Sequence, residues 1–252
     1  MKKDLLTLRD ITRDDLEHIF ELASKLKAER GKTAFTPLAG KSVGLIFAKS
    51  STRTRVSFEV GVGELGGRPL YLDQSKMQIG RGETVADTAK VLSRYLHGIV
   101  IRTFSHAEVE ELAREADIPV INALTDVNHP CEMVADLYAL SKIRNDFTKD
   151  HFLFCGVTGN IGLAWKEASE VMGFSLEQCC IPGYEMDGVP SHHCIRDAIR
   201  GKDIICTDSL PADLLSASRG CTVDLAAMKL ANEGAILNPC PPFYRGEEVS
   251  ND

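Results

Sequence analysis

Short apolar runs alternate with amphipathic stretches along the whole chain, and this alternation limits the fold more than any other feature. Ser42–Ala48, Gly98–Arg102, Pro119–Asn122, Phe152–Val157, Leu176–Ile181, Asp203–Thr207 and Ala235–Asn238 read as strands. Between them, 12–26, Arg53–Leu65, Thr84–Leu96, Ser105–Ala116, Pro130–Ile143, Gly162–Met172, Ser191–Arg200 and Thr222–Asn232 read as helices. Thr12 with Asp15 makes a capping box, and Leu16, Ile19, Phe20, Ala23 and Leu26 fall on one helical face. Gly31 stands where that helix should stop. Such alternation predicts an α/β fold with parallel sheets covered on both faces. The polar stretch Arg144–Asp150 marks the best boundary. The expected architecture is two doubly wound parallel-sheet domains, 1–143 and 144–252, the second abbreviated.

Composition narrows the function classes. The chain has 252 residues, 44% hydrophobic, with a formal net charge of -7. It holds no run of about 18 apolar residues, so a membrane span is not expected. Its first residues lack the apolar core of a signal peptide, so a cytoplasmic location is expected. Net acidity argues against a nucleic-acid partner. Residues 1–140 carry 19 Lys and Arg against 20 Asp and Glu, while 141–252 carry 10 against 16. The near-neutral part is the better host for an anion, although surface drift between two domains explains the difference equally well. Eight cysteines form no Cys-x-x-Cys pair and no Cys/His cluster with zinc spacing. His192-His193-Cys194 is dense, but adjacent residues rarely converge on one metal. The cysteines read as reduced, small apolar residues.

The chemistry concentrates after the predicted strands. Ser50-Ser51-Thr52-Arg53-Thr54-Arg55 follows a strand and opens a helix, where unpaired backbone N–H groups and the helix dipole favour an anion. Ser51, Thr52 and Thr54 add hydroxyls, and Arg53 adds a planar fork suited to phosphate. Arg102 ends a strand, and His129-Pro130-Cys131-Glu132 follows another. Ligands of open parallel sheets bind at the carboxyl ends of strands, so these groups can meet on one edge. Gly156-Val157-Thr158-Gly159-Asn160-Ile161-Gly162 has the wrong spacing for a dinucleotide fingerprint and reads as a tight turn presenting Asn160. Gly80-Arg81-Gly82 reads as a mobile loop, and Trp165 as a core residue.

Ser51-Thr52-Arg53-Thr54-Arg55-Val56-Ser57-Phe58-Glu59, Gln78-Ile79-Gly80-Arg81-Gly82-Glu83 and His129-Pro130-Cys131 together resemble the aspartate/ornithine carbamoyltransferase family, and the ornithine branch most. Asn160, Thr207-Asp208 and Arg245-Gly246-Glu247-Glu248-Val249 add to the likeness. The resemblance implies a homotrimeric enzyme of arginine metabolism, with sites shared between subunits, that moves the carbamoyl group of carbamoyl phosphate to a small amine. It implies neither cofactor nor metal. Ser51, Thr52, Arg53 and Thr54 would bind the phosphate, while Arg102 and His129 would contact phosphate and the carbonyl oxygen. Gln78 lies in the loop that the family lends to a neighbouring subunit. Asn160 and Asp208 match positions that hold the acceptor, Cys240 matches the cysteine of a late His-Cys-Leu-Pro motif, and Arg245 lies in the motif that follows. Donors aimed at charge developing on the carbonyl oxygen and the leaving group are each worth about 3 kcal/mol in such sites.

The departures fall almost wholly on the acceptor side. Glu132 stands where the family has Gln; a carboxylate accepts hydrogen bonds from a carbamoyl NH2 but cannot donate, and it repels phosphate unless protonated or neutralised. Asp208 is followed by Ser209-Leu210-Pro211, not by the family's Ser-Met-Gly. Cys240 lies in Asn238-Pro239-Cys240-Pro241-Pro242, without the histidine. Relatives continue into a final helix that supplies an arginine, for which no positional replacement is expected here. Three readings stay open: a carbamoyltransferase using an amine other than ornithine, which these departures place first; ornithine carbamoyltransferase with a reworked pocket; and a non-catalytic paralogue that binds an anion and acts through oligomer assembly.

Overall fold

The computed structural model describes residues 3–32, 35–79 and 82–252. The chain forms two compact units, Met1–Tyr138 and Ala139–Asp252. Both are α/β, as the alternation predicts.

The first unit holds a sheet of four strands, β1 (Ser42–Phe47), β2 (Arg68–Asp73), β3 (Gly98–Arg102) and β4 (Val120–Leu124), in the order β2-β1-β3-β4. All three pairings are parallel. Its helices are α1 (Arg13–Glu29), α2 (Arg53–Glu64), α3 (Val85–Ser93), α4 (His106–Glu115) and the start of α5 (Pro130–Ile143), within which the two units meet in sequence. The central strands are continuous apolar runs because both faces are covered. Ile99, Val100 and Ile101 of β3 are at most 1% exposed, and each contributes about 2 kcal/mol through burial. Local signals explain the helix starts. Thr12 and Asp15 make the reciprocal capping box of α1, and the Ser105 hydroxyl accepts the Glu108 N–H at the start of α4.

The second unit holds five parallel strands, β5 (His151–Cys155), β6 (Ser175–Cys179), β7 (Ser191–His192), β8 (Ile204–Thr207) and β9 (Ile236–Pro239), in the order β7-β6-β5-β8-β9. Its helices are α6 (Asn160–Met172), α7 (Ile195–Ala198) and α8 (Leu225–Met228). Trp165, the core residue expected, is 1% exposed and packs edge-on against Phe174, which stacks on Phe152 with ring centroids 4.0 Å apart.

Three local expectations are corrected. β2 is absent from the sequence reading because Arg68-Pro69 breaks its apolar pattern; it forms at the sheet edge, where a proline costs no ladder bond. Ser191–Arg200 is not one helix: Ser191 and His192 pair with β6, and only Ile195–Ala198 turn helically. Thr222–Asn232 contracts to the single turn α8, capped by Asp224. The expectation of a mobile loop at Gly80-Arg81-Gly82 falls on Gly80 and Arg81, which lie outside the described residues. Among the described residues, no helix is long and apolar enough to cross a membrane.

Candidate active site

In each unit the strand order reverses beside the first strand, and the 51–54 segment, Arg102, Asn160 and Asp208 lie at the carboxyl ends of the strands flanking that point, while His129 and Cys240 follow the next strands out. In the first unit the flanking strands are β1 and β3. Phe47 and Arg102 are register partners, and the Ala48 N–H donates to the Arg102 carbonyl at 2.8 Å. The chain leaving β1 then turns into α2. Thr52 is the N-cap, yet its hydroxyl makes no cap bond, so its oxygen is not consumed by the helix it precedes. Arg102 Nη1 donates to Thr54 Oγ1 at 3.3 Å, joining the end of β3 to the first turn of α2. Arg53 is exposed at the same helix start. Arg55 turns elsewhere: it pairs with Glu59 and lies 3.6 Å above the Tyr71 ring.

The strand after β3 delivers His129. Its side chain is buried, with Nε2 3.1 Å from a Glu132 carboxylate oxygen one helical turn on. Burial, and then the charge of Arg102, push the His129 pKa from 6.5 down to about 3. His129 is therefore a neutral imidazole at physiological pH. Its Nδ1 is buried and makes no hydrogen bond among the described residues. Lys49 pairs with Asp126 and sits 4.3 Å over Phe104, tying together the segments after β1, β3 and β4; sequence reasoning did not single it out. Gln78 is exposed on the segment leading to α3.

In the second unit the flanking strands are β5 and β8. The Asp208 N–H donates to the Cys155 carbonyl at 3.3 Å, and the Cys240 N–H to the Thr207 carbonyl at 3.0 Å. Asp208 is thereby set against Cys240, whose thiol bonds to its carboxylate. Burial raises the Asp208 pKa from 3.8 to about 6; nearby Glu248 adds to the rise, while the Ser209 N–H and Cys240 oppose it. Glu248, 3% exposed, accepts the Tyr244 N–H at 2.7 Å. It lies in a motif the sequence reading quoted, but no periodicity distinguishes it from Glu247 beside it. Asn160 opens α6 with its Oδ1 on the next backbone N–H at 3.0 Å, and Arg245 is exposed with its guanidinium 5.4 Å from the Phe243 ring. The structure thus joins Asp208 to Cys240, and it sets Arg245 beside Phe243.

The glycines of the Gly156–Gly162 turn have a packing reason. A Cβ on Gly156 would lie 2.9 Å from the Phe154 ring, and one on Gly162 would lie 2.8 Å from it. Loop and helix both close on that ring, and a Gly156 Cβ would also stand 3.6 Å from the Asp208 Cβ.

Comparison with known proteins points to one family. A sequence profile described as the aspartate/ornithine carbamoyltransferase carbamoyl-P binding domain matches residues 3–142. The chain is 41% identical to an ornithine carbamoyltransferase of Syntrophus aciditrophicus, over 99% of this chain and 90% of that protein. It superposes on the ornithine carbamoyltransferase of Burkholderia thailandensis with a TM-score of 0.92 at 32% identity, covering 98% of this chain and 88% of that one. The structure of the Thermus thermophilus enzyme gives the same TM-score at 33% identity, covering 100% and 89%.

Proposed function

The chain belongs to the aspartate/ornithine carbamoyltransferase family and is a carbamoyltransferase; on that premise we propose that its acceptor is ornithine and its product citrulline. The observation carrying this choice is the 41% identity, across nearly the whole chain, to a protein named for that reaction. The missing Ser-Met-Gly and the missing histidine beside Cys240 argue for another amine, but they are local departures set against a full-length match.

In the proposed reaction, the uncharged side-chain amine attacks the carbonyl carbon of carbamoyl phosphate. A C–N bond forms, the C–O bond to phosphate breaks, and the amine loses a proton. Ser51, Thr52, Arg53 and Thr54 hold the phosphate at the start of α2. Arg102 reaches this group through Thr54 and takes the charge that builds on the carbonyl oxygen, with neutral His129 beside it. Glu132 accepts the carbamoyl NH2. On the acceptor side, Asp208, Asn160, Cys240 and Arg245 recognise the amino acid, and the ionised Asp208 attracts its cationic end. Gln78 serves the site of a neighbouring subunit in a homotrimer. The eight free cysteines suit a reducing, cytoplasmic compartment, and citrulline formation would place the protein in arginine metabolism.

An acceptor panel with carbamoyl phosphate tests the reading, with phosphate release and ureido product as readouts. Ornithine is expected to turn over best among ornithine, putrescine, acetylated and succinylated ornithine, aspartate, diaminopropionate and lysine. Faster turnover of another amine reassigns the acceptor; no turnover of any overturns the reading.

A further inference from the structure

Away from the candidate active site, the fold gathers three ligand-type side chains that the sequence keeps apart. Cys180 follows β6, Glu185 lies in the turn after it, and His193 follows β7. β6 and β7 are parallel neighbours with Cys179 opposite His192, and the Cys180 N–H donates to the His192 carbonyl at 2.9 Å. That register sets Cys180 beside His193, so the adjacent His192 and Cys194 are not needed. The Cys180 sulfur, a Glu185 carboxylate oxygen and a His193 ring nitrogen lie within 4.8 Å of one another.

The histidine is oriented for a ligand. Its Nδ1 is 2.9 Å from the Cys180 carbonyl oxygen, an acceptor only, so Nδ1 carries the proton and Nε2 keeps its lone pair. A carbonyl partner on one ring nitrogen is the usual outer support of a metal-binding histidine. Glu185 Oε1 stands 3.6 Å from Nε2, while Oε2 accepts the Gly183 N–H at 2.9 Å, leaving Oε1 the oxygen aimed at the imidazole. Oε1 also lies 3.1 Å from the same N–H, a bond that Oε2 retains when Oε1 turns away.

We propose that Cys180, Glu185 and His193 bind one divalent transition-metal ion, with zinc the best match. The mixed sulfur, nitrogen and oxygen set suits zinc, whereas magnesium and calcium take oxygen ligands. A tetrahedral zinc centre needs these atoms about 3.5 Å apart. Glu185 and His193 are exposed and can close the remaining distance without disturbing the core. Three protein ligands leave a fourth position for water. Binding forms the zinc–thiolate bond as the Cys180 S–H releases its proton to solvent, with no redox step. Cys180 also lines a small cavity with Gly156, Leu210 and Glu248. The ion would therefore brace the β6–β7 edge beside the half of the active site that holds Asp208.

Cobalt(II) and zinc(II) titrations of the reduced full-length protein test this. One equivalent of cobalt should bind with a thiolate charge-transfer band, and zinc should displace it and raise the Tm. His193→Gln and Glu185→Gln, both at exposed positions, should each weaken binding at least about ten-fold and remove the zinc-dependent Tm shift. Cys180→Ser should lose the band; if it fails to fold, the two exposed variants decide the matter. No cobalt binding by the wild-type protein overturns the proposal. Unchanged binding by both exposed variants also overturns it, and moves the ion to the Cys155, Cys179 and Cys221 thiols that line the same cavity.

Discussion

His129 Nε2 lies 3.1 Å from the Glu132 carboxylate, so the residue that departs from the family pattern is in reach of the imidazole next to Arg102. A carboxylate in its ionised form only accepts, and in that form it would draw the proton to Nε2 and leave Nδ1 a lone pair. Nδ1 then accepts from an amide but cannot donate to a carbonyl oxygen. A glutamine at 132 would permit either tautomer. The Nε2–H form is expected at neutral pH by nitrogen-15 NMR, with no protonation of His129 down to about pH 5. Glu132→Gln should raise kcat/KM for carbamoyl phosphate on the order of ten-fold, or ~1.4 kcal/mol, by freeing Nδ1 to donate and removing a negative charge near the phosphate. A fall in kcat/KM would show that the carboxylate is needed.

Arg53→Ala should sharply weaken inorganic phosphate binding while leaving the circular dichroism spectrum unchanged. A hydrogen bond to a charged group is worth about 2–3 kcal/mol, a loss of roughly 30- to 150-fold in affinity. Calorimetry showing undiminished phosphate affinity would remove the α2 start as the phosphate site.

Asp208 gives the acceptor side its own pH dependence. It is ionised above about pH 6 and neutral below. The KM for a cationic acceptor should therefore climb as pH falls through 6, and Asp208→Asn should flatten that limb while raising KM at neutral pH. A wild-type KM that does not change between pH 7 and 5 would sever Asp208 from acceptor binding.

The two shifted groups act oppositely on stability. His129 is about 3 when folded against 6.5 otherwise, so the unfolded chain binds the extra proton between those values. Its contribution is lost as pH falls from 6.5 toward 3, at up to about 1.4 kcal/mol per pH unit. Asp208 is about 6 when folded against 3.8 otherwise, so its contribution grows as pH falls from 6 to 3.8. Denaturant melts of His129→Gln should lose less stability on acidification than wild type, and those of Asp208→Asn should lose more. The reverse order would contradict both assignments.

If Gln78 acts across subunits, mixing inactive Arg53→Ala and Gln78→Ala proteins should restore part of the activity in mixed trimers. Absence of recovery, with subunit exchange verified by mass spectrometry, would place Gln78 outside the neighbouring site.

The sequence carried the fold well where apolar runs were unbroken. β3 and α5 have the bounds their patterns predict. β2, interrupted by Pro69, and the one-turn helices α7 and α8 depend on edge pairing and local caps that a window of hydrophobicity does not register. In the donor half, Thr54 and His129 follow strands and Arg102 ends one, which is why the sequence alone could name them as candidates. Glu248 and the Cys180–Glu185–His193 group were not legible, since each arises from strand register and burial, which bring together residues with no characteristic spacing.

The Phe154 ring, whose Cε1 and Cζ atoms are approached closely by both Gly156 and Gly162, also bears on how the protein can change. Neither glycine can accept even a methyl group without shifting an aromatic ring in the core. Selection for a new amine should then leave Phe154, Gly156 and Gly162 untouched and collect its substitutions after Asp208, where Ser209-Leu210-Pro211 already differs from the family. The turn is a fixed chassis, and diversification is channelled into the segment facing it.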